Sequence, residues 1–450
     1  MSKGEYTMNN LTEGSVFKLL IKFSVPYLIA CFLQTFYGMA DLYITGQYNP
    51  AAIISAVSIG SQVMHMITVV LAALTLGVTI AISQSVGAKK DRDAGKAIGN
   101  SVGLFMIISF FMTILLMFGV NMILNLLETP AESVSAARDY LLICFAGIPM
   151  ITAYNVIAGI FRGMGDTKTP MVLIFIAGVL NIIGDIILIG PCHMGAAGAA
   201  IATVASQSVS VILSLIFLLS GKYPLPVRRE DLRLTKPTIS RILSVGVPVA
   251  FQDGFIQISF LIITRIANSR GVDVSAAVGI VEKIITFLFL VPSSMMSSVS
   301  VISAQNAGAK KHERSKEAMR IGMAVSFVFG LSVHLICQFA ASSIITLFIH
   351  DDANVVTLGA QYLRSYSLDC AFAGIQFCFS GFFNAYNRSF FSFIHNVISV
   401  LCVRIPATWL AGRYFPQTLY PMGLAAPMGS LLSSLICLYL YKTHKPYWES

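Results

Sequence analysis

Twelve long apolar runs decide what this chain can become. They cover roughly 19–46, 53–83, 97–118, 136–160, 170–190, 196–220, 241–267, 276–303, 319–348, 357–384, 389–412 and 419–441. Each reaches the ~20 residues that cross a hydrocarbon core as a helix. A helix satisfies its own backbone N–H and C=O groups, which lipid cannot do for it. A transmembrane barrel would instead alternate in stretches of ~10 residues. Only 11% of the 450 residues are charged, against about 25% in soluble domains. The expected fold is an all-α polytopic membrane protein with 12 transmembrane helices. The first run is longer than a signal-peptide core and no small-residue cleavage site follows it, so it is expected to be retained.

The net charge of +9 invites a nucleic-acid reading, but the charge is distributed by side of the membrane. Of the 30 Lys and Arg residues, 23 fall in the termini and in every second loop. The alternate loops hold only Arg138, Arg270 and Arg413. Positive-inside bias then places both termini in the cytoplasm, which requires an even number of spans. The basic excess is a topology signal, and no nucleic-acid partner is expected.

The two halves repeat. GAKK occurs at Gly87–Lys90 and Gly308–Lys311, an offset of 221 that also pairs Gln84 with Gln305 and Phe161 with Phe382. One residue further, Val25-Pro26 pairs with Val247-Pro248 and Tyr140-Leu141 with Tyr362-Leu363. Six spans separate equivalent positions, so the halves share one orientation. The reading is an N-lobe at 1–220, a cytoplasmic linker at 221–240 and a C-lobe at 241–450. The two six-helix lobes would be related by a parallel pseudo-twofold repeat about an axis along the membrane normal. Transporters built this way hold substrate between the halves and rock one against the other.

Inside this apolar frame a few acids stand out. Asp41 lies within the first run, where an aspartate costs ~2.5–3.5 kcal/mol on insertion scales. Gln34 and Tyr37 share its helical face. Asp185 lies in the fifth run, one turn after Asn181. By span direction Asp41 and Asp185 reach similar depth, and Thr203 in the small-residue stretch GAAGAAIATVAS matches it. Carboxylates, an amide oxygen and a hydroxyl are hard oxygen ligands suited to a small cation. Without a metal ion the same pair of acids would hold a proton. Packing alone would have to bear the insertion cost with nothing in return. Asn155 in the fourth run faces the same half, and Gln34, Tyr37 and Tyr140 are candidates for a cavity wall. The second half has Asp253, Glu282 and Asp369 but does not copy the first. Arg364, about a turn from Asp369, offers it an intramembrane ion pair, and Glu282 beside Lys283 reads as interfacial.

Other chemistry finds no support. The cysteines show no CxxC or Cys/His metal spacing and read as small apolar side chains. GMGDTK at Gly163–Lys168 lacks the adjacent Gly-Lys of a P-loop and reads as a turn. There is no HExxH, no G-x-S-x-G and no histidine cluster, so no enzyme activity and no cofactor are expected. Met- and Phe-rich stretches would supply a pliable apolar wall.

With these residues in view, the chain resembles the multidrug and toxic compound extrusion (MATE) transporters over nearly its whole length. The resemblance rests on LTEGSVFKLLIKFSVP, the aspartate in span one and the two GAKK loops. FRGMGDTKTP after span four, NIIGD in span five and GAAGAAIAT opening span six complete it. It implies two six-helix lobes, a central cavity, and export of amphipathic, often cationic compounds in exchange for Na+ or H+. It also implies a cation site of the archaeal and DinF-like type at Asp41, Asn155, Asn181, Asp185 and Thr203, with no metal beyond Na+. The NorM branch adds a seventh-helix glutamate and a tenth-helix aspartate. Here Gln257 stands near the first and Ala373 at the second, with Asp369 about one turn away, so that C-lobe chemistry does not carry over. Gln257, Asp253, Glu282 and Asp369 remain secondary candidates.

The expected protein is thus a cation-coupled antiporter working by alternating access as a monomer in the plasma membrane. Its partners would be small amphipathic organic substrates and the lipid bilayer. The alternatives are a flippase for lipid-linked oligosaccharides, which usually needs a basic central cavity, and a channel.

Overall fold

The computed structural model describes residues 10–219, 227–349 and 352–449; part of the expected linker, 221–226, lies outside the described residues. Among the described residues every regular element is helical. The chain folds as two compact units, one holding Pro26–Gly246 and the other Leu11–Val25 together with Val247–Ser450.

The first unit contains most of α1 (Val16–Tyr48), then α2 (Ala51–Gly87), α3 (Asp91–Leu126), α4 (Ala131–Ala146), α5 (Ile148–Gly163), α6 (Lys168–Ile189) and α7 (Gly195–Leu219). The second contains most of α8 (Lys236–Asn268), then α9 (Val272–Leu288), α10 (Leu290–Gly308), α11 (His312–Thr346), α12 (Ala353–Tyr366) and α13 (Asp369–Ala385). It ends with α14 (Ser389–Ser399), α15 (Ile405–Tyr414), α16 (Tyr420–Thr443) and the short α17 (Pro446–Glu449). Both α1 and α8 pass from one unit to the other beside an internal proline, Pro26 and Pro248. Proline cannot donate to the carbonyl four residues back and crowds it, so each helix is weakened at that passage.

Among the described residues ten helices are long and apolar enough to cross a membrane, and α4 with α5, bent by 49°, makes up to an eleventh. Gly147 lies at that bend and Pro149 opens α5 without an N–H to continue the ladder. The twelfth expected run, 357–384, is α12 and α13, broken between Tyr366 and Asp369. It is the repeat counterpart of the bent pair. The chain is therefore the expected all-α, twelve-helix membrane protein.

The repeat is visible in the backbone. Lys89 and Lys310 of the two GAKK turns are both left-handed, at φ 55° and 58°. Each turn closes with the same bond, Lys90 N–H to Ser85 and Lys311 N–H to Asn306. Helix partners repeat as well: α2 packs on α5 as α10 does on α13, α3 on α5 as α11 on α13, and α4 on α7 as α12 on α16. The turn at Gly163–Lys168 caps α6, with the Asp166 carboxylate accepting from Lys168 N (2.9 Å) and Thr169 N (3.1 Å).

Candidate cation site

α6 and α7 carry most of the site, and small residues let them approach. A Cβ built on Gly184 of α6 would stand 3.0 Å from the Ala202 Cβ of α7. α1 lies against this pair through Tyr37. A Cβ on Gly178 would meet the Tyr37 ring at 3.4 Å, and Gln207 Nε2 donates to the Tyr37 hydroxyl at 3.4 Å. One turn along α1 comes Asp41, one turn along α6 Asn181, and one turn back along α7 Thr203.

That second layer is the polar one. Asn181 Nδ2 donates to Thr203 Oγ1 at 3.3 Å. Asp41, Asn181 and Asp185 are 5%, 1% and 0% exposed. The charge of Asp41 acts on Asp185, and both reach Tyr140. Asp41 Oδ1, Asn181 Oδ1 and both carboxyl oxygens of Asp185 are buried with no hydrogen-bond donor. Four buried acceptors without a donor are costly, at ~1–3 kcal/mol each and more when charged. Among the described residues no group of three or more His, Cys, Asp and Glu side chains forms a metal site. The set of two carboxylates, amide oxygen and hydroxyl fits Na+ or a shared proton.

The remaining sequence candidates take different places. Gln34 is exposed, and its side chain reaches Tyr37. Asn155 is half-buried and its Nδ2 donates to Ile151 O on its own helix at 2.9 Å, with no bond to the other four. Tyr140 is 2% exposed, packed over Gly60 of α2. Two further residues were not singled out from the sequence. Gln207 bonds Tyr37 while its own Oε1 is buried without a donor, and the Thr152 hydroxyl of α5 is buried without a partner. The signal for Gln207 was its place one turn after Thr203 on the same helix face.

In the second unit Asp253 and Gln257 are half-buried on α8. Asp369 is 1% exposed, and the cation whose charge reaches it is Arg404 rather than Arg364, which corrects the expected ion pair. Glu282 is half-buried with its Oε1 buried without a donor, and the charge of the exposed Lys283 reaches it. Its side chain lies near Thr264 and within reach of the Arg404 charge.

A family model described as MatE matches residues 26–187 and 248–410, one stretch in each half. The chain is 27% identical over 451 residues to the probable multidrug resistance protein YpnP of Bacillus subtilis, covering 96% of each chain. It is 25% identical over 445 residues to the probable multidrug resistance protein NorM of Thermotoga maritima, covering 96% of this chain and 93% of that one. Among solved structures, a MOP superfamily transporter from Pyrococcus furiosus superposes with a TM-score of 0.92 at 20% identity, covering 100% of both chains. That last likeness is one of fold.

Proposed function

The chain belongs to the MatE family, and from that premise we propose that it exports small amphipathic, often cationic, organic compounds in exchange for Na+ or H+. Family membership makes it a transporter and not an enzyme. The observation that carries the coupling is the set of four buried acceptor oxygens on Asp41, Asn181 and Asp185 with no donor. A cation entering from outside completes them. The two carboxyls and the Asn181 oxygen would hold it, with the Thr203 hydroxyl beside them, and α1 would be drawn toward α6 and α7. Tyr37, tied to Gln207 and packed on Gly178, moves with α1. Gln34, one turn away, is the exposed end of the same face. Asn155 joins the site by turning its amide from Ile151 O. Drug and cation must prefer different states of the chain, because a ligand with equal affinity for both shifts nothing. The inward cation gradient and the membrane potential, ~2.3 kcal/mol per charge per 100 mV, then drive export.

The charge pattern supports both termini lying in the cytoplasm, and the reading takes the protein as a monomer in the plasma membrane. Relatives named for multidrug resistance support the substrate class. The test is ethidium efflux from proteoliposomes under an imposed Na+ gradient or pH gradient, wild type beside Asp41→Asn. Efflux driven by one gradient and lost in a folded Asp41→Asn protein is expected, and it names the ion. Normal efflux by Asp41→Asn overturns the coupling. No efflux under either gradient moves the reading to lipid-linked oligosaccharide flipping.

A further inference from the structure

The second unit holds its own buried polar cluster, and one member is a permanent cation. Arg404 closes a π-helical turn, Val400–Arg404, between α14 and α15. The turn has a local cause: Pro406 lacks an N–H and crowds the carbonyl of Cys402, and a widened turn relieves that clash. Wide turns of this kind re-aim side chains, and this one turns Arg404 inward. Its guanidinium donates from Nη2 to the Tyr366 hydroxyl. It lies over the Phe260 ring at 4.7 Å and near the Tyr366 ring at 5.8 Å. Both Glu282 and Asp369 lie within reach of its charge, yet neither touches it. Glu282 Oε1, Asp369 Oδ1 and Arg404 Nε are all buried without a partner. The cluster thus has one unmet acceptor atom each on α9 and α13 and an unmet donor on the π turn, while Ser430 bonds to Asp369 and Thr264 to Glu282.

The repeat gives this cluster a meaning. At the offset of 221–222 that relates the halves, Arg404 falls opposite Ile183 and Ile182, between Asn181 and Asp185. Tyr362, which packs edge-on against Tyr366, falls opposite Tyr140. At the same offset Glu282 falls opposite Ser61 or Gly60 and Asp369 opposite Ile148 or Gly147, so the second unit carries its cation on the segment that matches α6 and draws its two acids from other segments. A guanidinium never gives up its charge. A free cation entering beside it meets like-charge repulsion in a medium that screens poorly.

We propose that Arg404 is a tethered counter-cation: it supplies to Glu282 and Asp369 the positive charge that Asp41 and Asp185 of the first unit take from a mobile ion, so the second unit binds no coupling ion. This rests on the cation reading of the first unit, but its test does not. Binding of radioactive Na+ is measured at alkaline pH on purified protein. Asp41→Asn alone is expected to bind none. Adding Arg404→Gln removes the tethered charge and opens a site, so the double variant is expected to bind one Na+ per chain. Adding Asp369→Asn to that double variant abolishes the gain, and Arg404→Lys in place of Arg404→Gln gives none. No Na+ on a folded Asp41→Asn/Arg404→Gln protein overturns the proposal. Na+ bound by Asp41→Asn alone and lost on adding Glu282→Gln also overturns it, and that arm needs no Arg404 variant to fold. A wild type that binds no Na+ counts against Na+ as the coupling ion and leaves the gain in the double variant as the measure of Arg404.

Discussion

Asp185 carries two buried carboxyl oxygens and no donor for either, which sets function against stability at one residue. A buried orphan acceptor costs ~1–3 kcal/mol, and replacing a buried ionic group by an apolar one of similar size often stabilises. Asp185→Leu should therefore raise the melting temperature in detergent without added Na+, by a stability of about 1–3 kcal/mol, and should abolish export. Melting at or below the wild-type temperature would mean that Asp185 is tied by a bond that keeps it for packing. Asp41 and Asp185 were legible in the sequence because an acid inside twenty apolar residues has no inexpensive use. Gln207 and Thr152 were not, since uncharged polar side chains in spans are common and gain little from each bond. Arg404 lies inside the eleventh apolar run, but its partners were hidden. The sequence puts Arg364 about a turn from Asp369, and only the π turn shows which guanidinium the acids face.

At the scale of elements, the stretch before α8 docks on the first unit through one set of polar contacts. The 3-10 turn Arg229–Leu232 presents Asp231 to Arg92, and the Arg228 amide donates to the same carboxylate at 2.8 Å. Asn100, fully buried, accepts from Thr235 N at 2.6 Å and donates to Asp231 O at 2.9 Å. Arg241 donates to Gln84 Oε1 at 3.1 Å from Nε. Gly99 allows the close approach, since a Cβ there would lie 2.6 Å from Asp231 O. Burial raises the Asp231 carboxyl, but the bonds from Arg92 and the Arg228 amide, with the two arginine charges, outweigh it and hold the group below its ordinary value. Its contribution is then present above the ordinary aspartate range near ~3.9 and is lost as pH falls through the depressed folded value. Hydrogen exchange at residues 229–241 should accelerate on acidification below that range. Asn100→Ala should produce the same acceleration at neutral pH, with a loss of about 1–3 kcal/mol from the groups it orphans. Unchanged exchange in Asn100→Ala would show that the stretch is held by something else. The apolar runs announced the helices, whereas this docking depends on bonds across 130 residues or more, which no local pattern records.

At the scale of the whole molecule, the repeat predicted a division in the middle of the chain, and the units take in segments from beyond it. Leu11–Val25 belongs with the second unit and 227–246 with the first. In the second unit Leu11 N–H donates to Gln305 Oε1 at 3.1 Å, Asn306 donates to Leu11 O at 3.1 Å and Lys311 to Thr12 O at 2.9 Å. Val16, Leu20 and Phe23 are buried in the same core as Val299, Ile302 and Phe382. Gln84 and Gln305, equivalent in the repeat, each accept from an incoming stretch, from Arg241 and from the Leu11 N–H respectively. Neither half of the sequence therefore encodes a complete unit. A fragment of 220–450 lacks three large apolar side chains, each worth ~1.5–3 kcal/mol buried, and loses the bonds that Leu11 and Thr12 make with Gln305, Asn306 and Lys311. A fragment of 1–219 loses the bonds of Arg92, Asn100 and Gln84 to Asp231, Thr235 and Arg241. Those losses rival the ~5–15 kcal/mol by which a folded protein is stable at all. Expressed alone, each fragment should aggregate or be degraded. Expressed together, they should co-purify as one monodisperse species on fluorescence-detected gel filtration, because each supplies the stretch the other lacks. Two fragments that are each monodisperse alone would show that the exchanged stretches are dispensable. Co-purification lost on deleting Leu11–Val25 from the first fragment would show that they are what joins the halves.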